Sequence, residues 1–127
     1  RGTEMPFQVY GHPHIESEYS FTPKQAESRN KPLYCDTECY GKQLKQYATA
    51  YKKNKNELNL AWIIEAYNQL KDKGNFFNNF FVKLSGTKEL QRQIEDGLSE
   101  EEIRNSWKEE LDKYKEIRAK YLLYKDF

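Results

Sequence analysis

The side chains best suited to chemistry lie in the first third of the chain: His12 and His14, Cys35 and Cys39, and the carboxylates Glu4, Glu16 and Glu18. Two imidazoles and two thiolates are the right number and kind of ligand for a tetrahedral zinc. Their order, His-x-His and then Cys-x-x-x-Cys, matches no common finger spacing, so no metal is expected. A thioredoxin-like motif needs two residues between its cysteines, and here there are three. A local disulfide would require a turn that brings the two Cα atoms to about 5.5 Å, and an oxidising compartment. A buried or partly buried pair of thiols requires neither. Glycoside hydrolysis needs two carboxylates about 5 to 10 Å apart across a sugar. The three glutamates lie in an irregular, cleft-prone region, but among 20 acidic residues their presence selects no pair. The sequence contains no G-x-S-x-G, no phosphate-binding loop and no H-E-x-x-H. Serine hydrolases, nucleotide enzymes and the commonest zinc proteases therefore have no support.

Any such group must be held by a folded framework, and composition bounds what that can be. With 127 residues, one domain with a real core is the default. The apolar fraction is modest at 37%, yet ten Tyr, seven Phe and two Trp are present, so rings must carry much of the burial. The net charge is +1, with basic residues interleaved among acids, which disfavours binding driven by nucleic-acid phosphates. No run reaches the roughly 18 apolar residues of a membrane span, and no basic-then-apolar leader is seen.

Pro6, Pro13, Pro23 and Pro32 exclude long helices from the first third. Phe7 and Val9, followed by Gly11, suggest a short strand ended by a turn, and Tyr40 to Tyr47 suggests another, with Leu44 facing one side. Beyond the polar stretch 52–57 the period changes. Leu60, Ile63, Ile64, Tyr67 and Leu70 share one helical face, with Asn59 as N-cap and Gly74 as stop. The run NFFNNFFVKL suits a short buried helix or turn packed on the preceding helix. GTKELQRQIEDG reads as a helix capped by Thr87 and ended by Gly97, with Leu90 and Ile94 on one side. Ser99 and Glu102 form a capping box at the start of a last helix whose stripe is Ile103, Trp107, Leu111, Tyr114, Ile117 and Tyr121. The fold class is therefore α+β: irregular short strands, then about four helices on one face of a small sheet.

Three stretches carry a resemblance: RGTEMPFQVYGHP at the start, the FTP and CYG segments at 21–23 and 39–41, and KLSGTKELQRQIEDGLSEEEIRNSWKEELDKYKEIRAKYLLY near the end. Together, in this order, they resemble the carboxy-terminal part of the exo-β-N-acetylmuramidase (NamZ-like) family. The loops match as well as the amphipathic helices, which makes the likeness specific. It implies a larger two-domain protein with an amino-terminal α/β, Rossmann-like domain, in which residues 1–127 form the carboxy-terminal domain. Residues 1–13 would be the remainder of an interdomain turn and the strand leading from it. The implied activity is removal of N-acetylmuramic acid from the non-reducing ends of peptidoglycan fragments, in a periplasmic or secreted bacterial protein.

The family's Glu-Gly-Arg-Gly-Thr turn is matched here by Arg1, Gly2 and Thr3, without the glutamate before it. Arg1 could hold a lactyl carboxylate as a bidentate pair, or could be a structural arginine that caps a turn or bridges domains. Gln8 stands where many members carry glutamate, and could hydrogen-bond a sugar hydroxyl or N-acetyl group. His12 stands where many have a small residue. Phe21, Tyr34 and Tyr40 are candidates for stacking on a sugar ring, with core packing as the competing role. Substrate-binding candidates are thus Arg1, Thr3, Gln8, His12, Phe21, Tyr34 and Tyr40. The catalytic acids are expected mainly in the amino-terminal domain, and no cofactor is called for. The expected partners are a muropeptide or peptidoglycan fragment and the protein's own amino-terminal domain, with no nucleic acid and no membrane span. Two other classes stay open: a non-catalytic glycan- or protein-binding module, and a domain that only stabilises its neighbour.

Overall fold

The computed structural model describes residues 2–26, 30–48 and 58–124. The fold is α+β, with a three-stranded antiparallel sheet and four α-helices among the described residues, and the chain divides into two compact units, Arg1–Phe76 and Phe77–Phe127. No helix among the described residues is long and apolar enough to cross a membrane.

The first unit holds β1 (Val9–His12), β2 (Tyr19–Phe21), β3 (Cys39–Gln43) and α1 (Ala61–Leu70). β3 is central, paired antiparallel with β1 on one side and β2 on the other. The registers Gly11↔Gly41, His12↔Tyr40, Ser20↔Tyr40 and Phe21↔Cys39 decide which residues share a face. Tyr10, His12, Tyr40 and Lys42 project to one side, and Gly11, Cys39, Gly41 and Phe21 to the other. The first of these faces receives α1. Tyr10, Tyr40 and Phe76 pack on a core of Ile15, Ala66 and Leu70. Lys42 of β3 pairs with Glu65 of α1, and the Gln69 side chain accepts from the Glu16 N–H at 2.7 Å. Burial and the nearby Glu65 and Tyr47 push the Tyr10 pKa up to about 12, so its hydroxyl keeps its proton.

The strand expected from Tyr40 to Tyr47 stops at Gln43, and Leu44–Tyr47 forms a single 3₁₀ turn. The reason is the partner. β1 begins at Val9, opposite Gln43, and beyond it only the Leu44 N–H reaches across, to the Gln8 carbonyl at 2.7 Å. The N-cap of α1 is Leu60, which is buried, and Asn59 makes no cap. The stop at Gly74 is as expected, after a 3₁₀ turn Lys71–Lys73.

The second unit contains α2 (Phe81–Ser85), α3 (Glu89–Glu95) and α4 (Glu100–Ala119). The N-cap of α3 is Lys88, with no side-chain cap bond, rather than the expected Thr87, which sits one residue earlier and accepts the Glu89 N–H on its hydroxyl at 3.1 Å. Gly97, with φ of 80°, ends it: Leu98 N–H donates to the Gln93 carbonyl and Gly97 N–H to that of Ile94, the paired bonds of a Schellman ending. Ile94 and Ile103 are fully buried, and the Gln93 amide donates to Ser106 Oγ at 2.9 Å, tying α3 to α4. The capping box is present in both directions: Ser99 Oγ accepts from the Glu102 N–H, and the Glu102 carboxylate accepts from the Ser99 N–H at 2.8 Å. Ser99→Ala is expected to lower the thermal stability of this unit by about 1 kcal/mol, read by calorimetry, with Ser99→Asp retaining most of it.

Two packing expectations fail here. NFFNNFFVKL is not a buried helix: α2 has no buried residue, and Phe80 and Leu84 are exposed. Its rings divide, since Phe76 packs on Tyr67 in the first unit while Phe77 meets Phe81 with centroids 4.5 Å apart. The apolar stripe of α4 is buried only at its start. Leu111, Tyr114, Ile117 and Tyr121 are all exposed. A helix of 20 residues runs about 30 Å, whereas α3 with seven spans about 10 Å and covers only the first turns.

Candidate functional site

The chain enters the first unit through two turns. Gly2, with φ of 78°, accepts the Lys24 N–H on its carbonyl at 2.8 Å. A Cβ at Gly2 would sit 2.8 Å from the Pro32 ring and 3.0 Å from the Lys24 carbonyl, so the close approach requires glycine. Thr3 Oγ1 then accepts the Met5 N–H at 3.3 Å. Next, Gln8 N–H closes on the Met5 carbonyl at 3.2 Å, which puts Pro6 and Phe7 at the corner. Phe7 has a left-handed φ of 60° there, and its side chain is wholly exposed.

Beside these turns lies a cavity of about 810 Å³, lined by Thr3, Met5, Phe21, Lys24, Gln25 and Pro32 among others. Phe21 reaches it from the sheet face turned away from α1. Lys24 is held at the rim by Asp36, Nζ to Oδ1 3.0 Å, and this bond, with a second from the Cys35 thiol, holds the Asp36 carboxyl below its usual range.

His12 and Tyr34 belong to a different place. They line a cleft of about 510 Å³ together with Tyr10, Ile15, Leu33 and Phe76, on the α1 side of the sheet. The Tyr34 hydroxyl lies 2.7 Å from His12 Nε2, and the two rings meet edge to face. Burial, with His14 as a smaller contributor, holds the His12 pKa below its ordinary value, so the imidazole is neutral at pH 7. Tyr34 is the third residue of a turn closed by Cys35 N–H on the Pro32 carbonyl, with a left-handed φ of 56°.

The seven candidates therefore do not form one cluster. Thr3 and Phe21 line the first cavity, and His12 and Tyr34 the second. Gln8 is exposed and lines neither, and Arg1 lies outside the described residues. Tyr40 packs its ring on the core and donates its hydroxyl to Glu38 at 3.0 Å, a bond that pushes its pKa up. Sequence reasoning missed Met5, Lys24, Gln25, Lys73 and Phe76 as lining residues. Of these, Met5 is bonded to Thr3 of the opening turn, and Lys24 is joined to the same turn through Gly2. Both cysteines are free thiols, and no group of three His, Cys, Asp or Glu among the described residues is placed to hold a metal.

The turn at Gly2–Thr3 and the capped helices α3 and α4 are the stretches on which a family likeness would rest. A family model described as exo-beta-N-acetylmuramidase NamZ, C-terminal, matches residues 1–124. The chain belongs to this family. A curated relative, peptidoglycan beta-N-acetylmuramidase NamZ of Bacillus subtilis (strain 168), is 29% identical over 144 residues, covering 98% of this chain and 33% of the relative. A solved structure of a DUF1343 family protein from Bacteroides fragilis NCTC 9343 is 38% identical, with a TM-score of 0.85 over 100% of this chain and 36% of that one. The chain thus spans about a third of the length of the relatives it matches. Within the NamZ carboxy-terminal family, this member carries Gln8 just before its first strand and His12 as that strand's last residue, and of the two only the histidine lines a cleft.

Proposed function

We propose that this chain is the carboxy-terminal domain of a peptidoglycan glycosidase of the exo-β-N-acetylmuramidase kind, and that the cavity beside the Gly2–Thr3 turn is one wall of the cleft for a terminal N-acetylmuramic acid. The observation that carries the reading is convergence. Thr3 from the opening turn and Phe21 from β2, distant in sequence, line the same 810 Å³ space, with Lys24 at its rim. The ring, the hydroxyl and the cation suit an amino sugar that bears a carboxylate: the ring stacks, the hydroxyl bonds, and the Lys24 ammonium, already paired with Asp36, meets the lactyl carboxylate, while the Glu4 carboxylate of the same lining is left for sugar hydroxyls. Arg1, immediately before the turn, would add a guanidinium to the same carboxylate. The hydrolytic acids belong to the amino-terminal α/β domain, and the protein acts in the periplasm or outside the cell.

The test is turnover of a chromogenic N-acetylmuramic acid glycoside by the 127-residue chain and by the full-length protein. The full-length protein is expected to hydrolyse it and the chain alone to leave it intact. Turnover by the chain alone would overturn the division of labour. In the full-length protein, Phe21→Leu is expected to raise KM several-fold, up to about tenfold, with kcat little changed, the pattern of lost uniform binding.

A second reading, support of the neighbouring domain, draws on the exposed stripe Leu111, Tyr114 and Ile117 of α4, with Tyr121 just beyond its end. Contiguous exposed apolar residues of this kind mark contact surfaces. The two thirds of the relatives' length outside the match supply the partner: the amino-terminal domain. Charged replacements along the stripe would then lower the stability of the full-length protein and leave that of the isolated chain unchanged.

A further inference from the structure

We infer that the cleft on the α1 side of the sheet is a separate binding site for a short apolar peptide ending in a carboxylate, with the Tyr34 hydroxyl as its fixed donor. The argument begins with the proton on His12. Its Nδ1 accepts the His14 N–H at 3.1 Å, so in the neutral ring the proton sits on Nε2. Nε2–H is therefore the donor in the 2.7 Å contact with Tyr34, and the hydroxyl oxygen is the acceptor. The hydroxyl's own proton is left to donate elsewhere. Tyr34 is held for this by a left-handed backbone, a costly conformation for a bulky residue of the kind that gathers at binding sites.

The lining decides the ligand class. Ile15, Leu33, Leu70 and Phe76 give apolar walls, and Tyr34, Lys73 and Asn75 supply a hydroxyl, an ammonium and an amide. No lining residue is acidic, so the polar groups can together receive an anion and repel none. The apolar walls offer no partners for the ring hydroxyls of a sugar, which would be buried unpaired there. The volume of about 510 Å³ lies within the range of small-ligand sites. Aliphatic side chains on a backbone that ends in a carboxylate satisfy both halves. This site is distinct from the glycan wall, and rests on the glycosidase reading only for the origin of the peptide, a stem carried by the same polymer.

The experiment is a titration of the 127-residue chain with N-acetyl-alanyl-alanine, its carboxy-terminal amide, and N-acetylglucosamine, followed by NMR. The free-acid peptide is expected to shift the resonances of Tyr34, His12 and Leu33. Tyr34→Phe and Lys73→Gln are each expected to weaken it at least about tenfold, as is the amide cap, since charge-assisted bonds are lost. Lys73 is exposed, so its replacement leaves the fold intact and the comparison valid even if Tyr34→Phe fails to fold. Absence of shifts with the free acid, equal binding of the capped peptide, or shifts of the same residues by N-acetylglucosamine would each overturn the assignment. Because no hydrolysis is measured, the result stands apart from the glycoside assay.

Discussion

Gly41→Ala is expected to abolish cooperative folding of the sheet unit. A Cβ at this position would lie 1.9 Å from the Tyr10 carbonyl oxygen and 2.6 Å from the Gly11 Cα. Both obstacles are backbone of the neighbouring strand, so no rotamer change relieves them, and β1 and β3 must separate. Overpacking typically costs 1 to 3 kcal/mol, and a clash with fixed backbone belongs at or above about 3. The Gly41 carbonyl also accepts the Ser17 hydroxyl at 2.5 Å, so the bond that ties the β1–β2 connection to the sheet would be displaced too. Gly86→Ala is the control. Its Cβ would meet nothing within 4 Å, and only the left-handed φ of 76° is penalised, by about 1 to 2 kcal/mol. Urea melts followed by amide exchange in β1 and β3 separate the two. Equal destabilisation by both variants would show that the strand approach is not what restricts position 41.

Ile103→Ala should do to the helical unit what the glycine change does to the sheet. Ile103 and Ile94 are the only large side chains fully buried there among the described residues, one from α4 and one from α3. Truncating a buried isoleucine to alanine costs about 2 to 5 kcal/mol, through lost transfer energy and the cavity left behind. A unit this small has little stability to spare. We expect α3 and α4 amides to lose exchange protection while the sheet keeps its own. Leu111→Ala, on the same stripe but exposed, should change stability by less than about 0.5 kcal/mol in the isolated chain.

These two cases show what the sequence could and could not disclose. The helix ends were legible because their signals are local: Ser99 with Glu102, Thr87 before Glu89 and Gly97 after Asp96 each act within a few residues. The burial of Ile94 and Ile103 followed from periodicity. The exposure of Leu111 and Ile117 did not, because periodicity reports a face and is silent on whether anything covers it. β2 escaped notice because three residues cannot display an alternation. The same short strand is what divides the site. In a β1-β3-β2 order, the face that Phe21 shares with Cys39 is set by register against a strand eighteen positions later, and that register separates it from His12 and Tyr34. Residue types suggested stacking and hydrogen bonding. Only the pairing told that they serve two cavities.

The strand glycines carry one more consequence. A Cβ built on Gly11 would fall 2.7 Å from Cε1 and 3.1 Å from Cζ of Phe21, so the tip of the ring occupies the space that a side chain at position 11 would take. The arrangement is of the kind called aromatic rescue, in which a ring from another strand covers the bare backbone of a strand glycine. Covering Gly11 in this way ties the ring's position to the sheet, so a side chain introduced at position 11 would displace it from its place in the cavity lining. Under the proposed function, a sugar entering the cavity would then meet a ring already placed by the sheet.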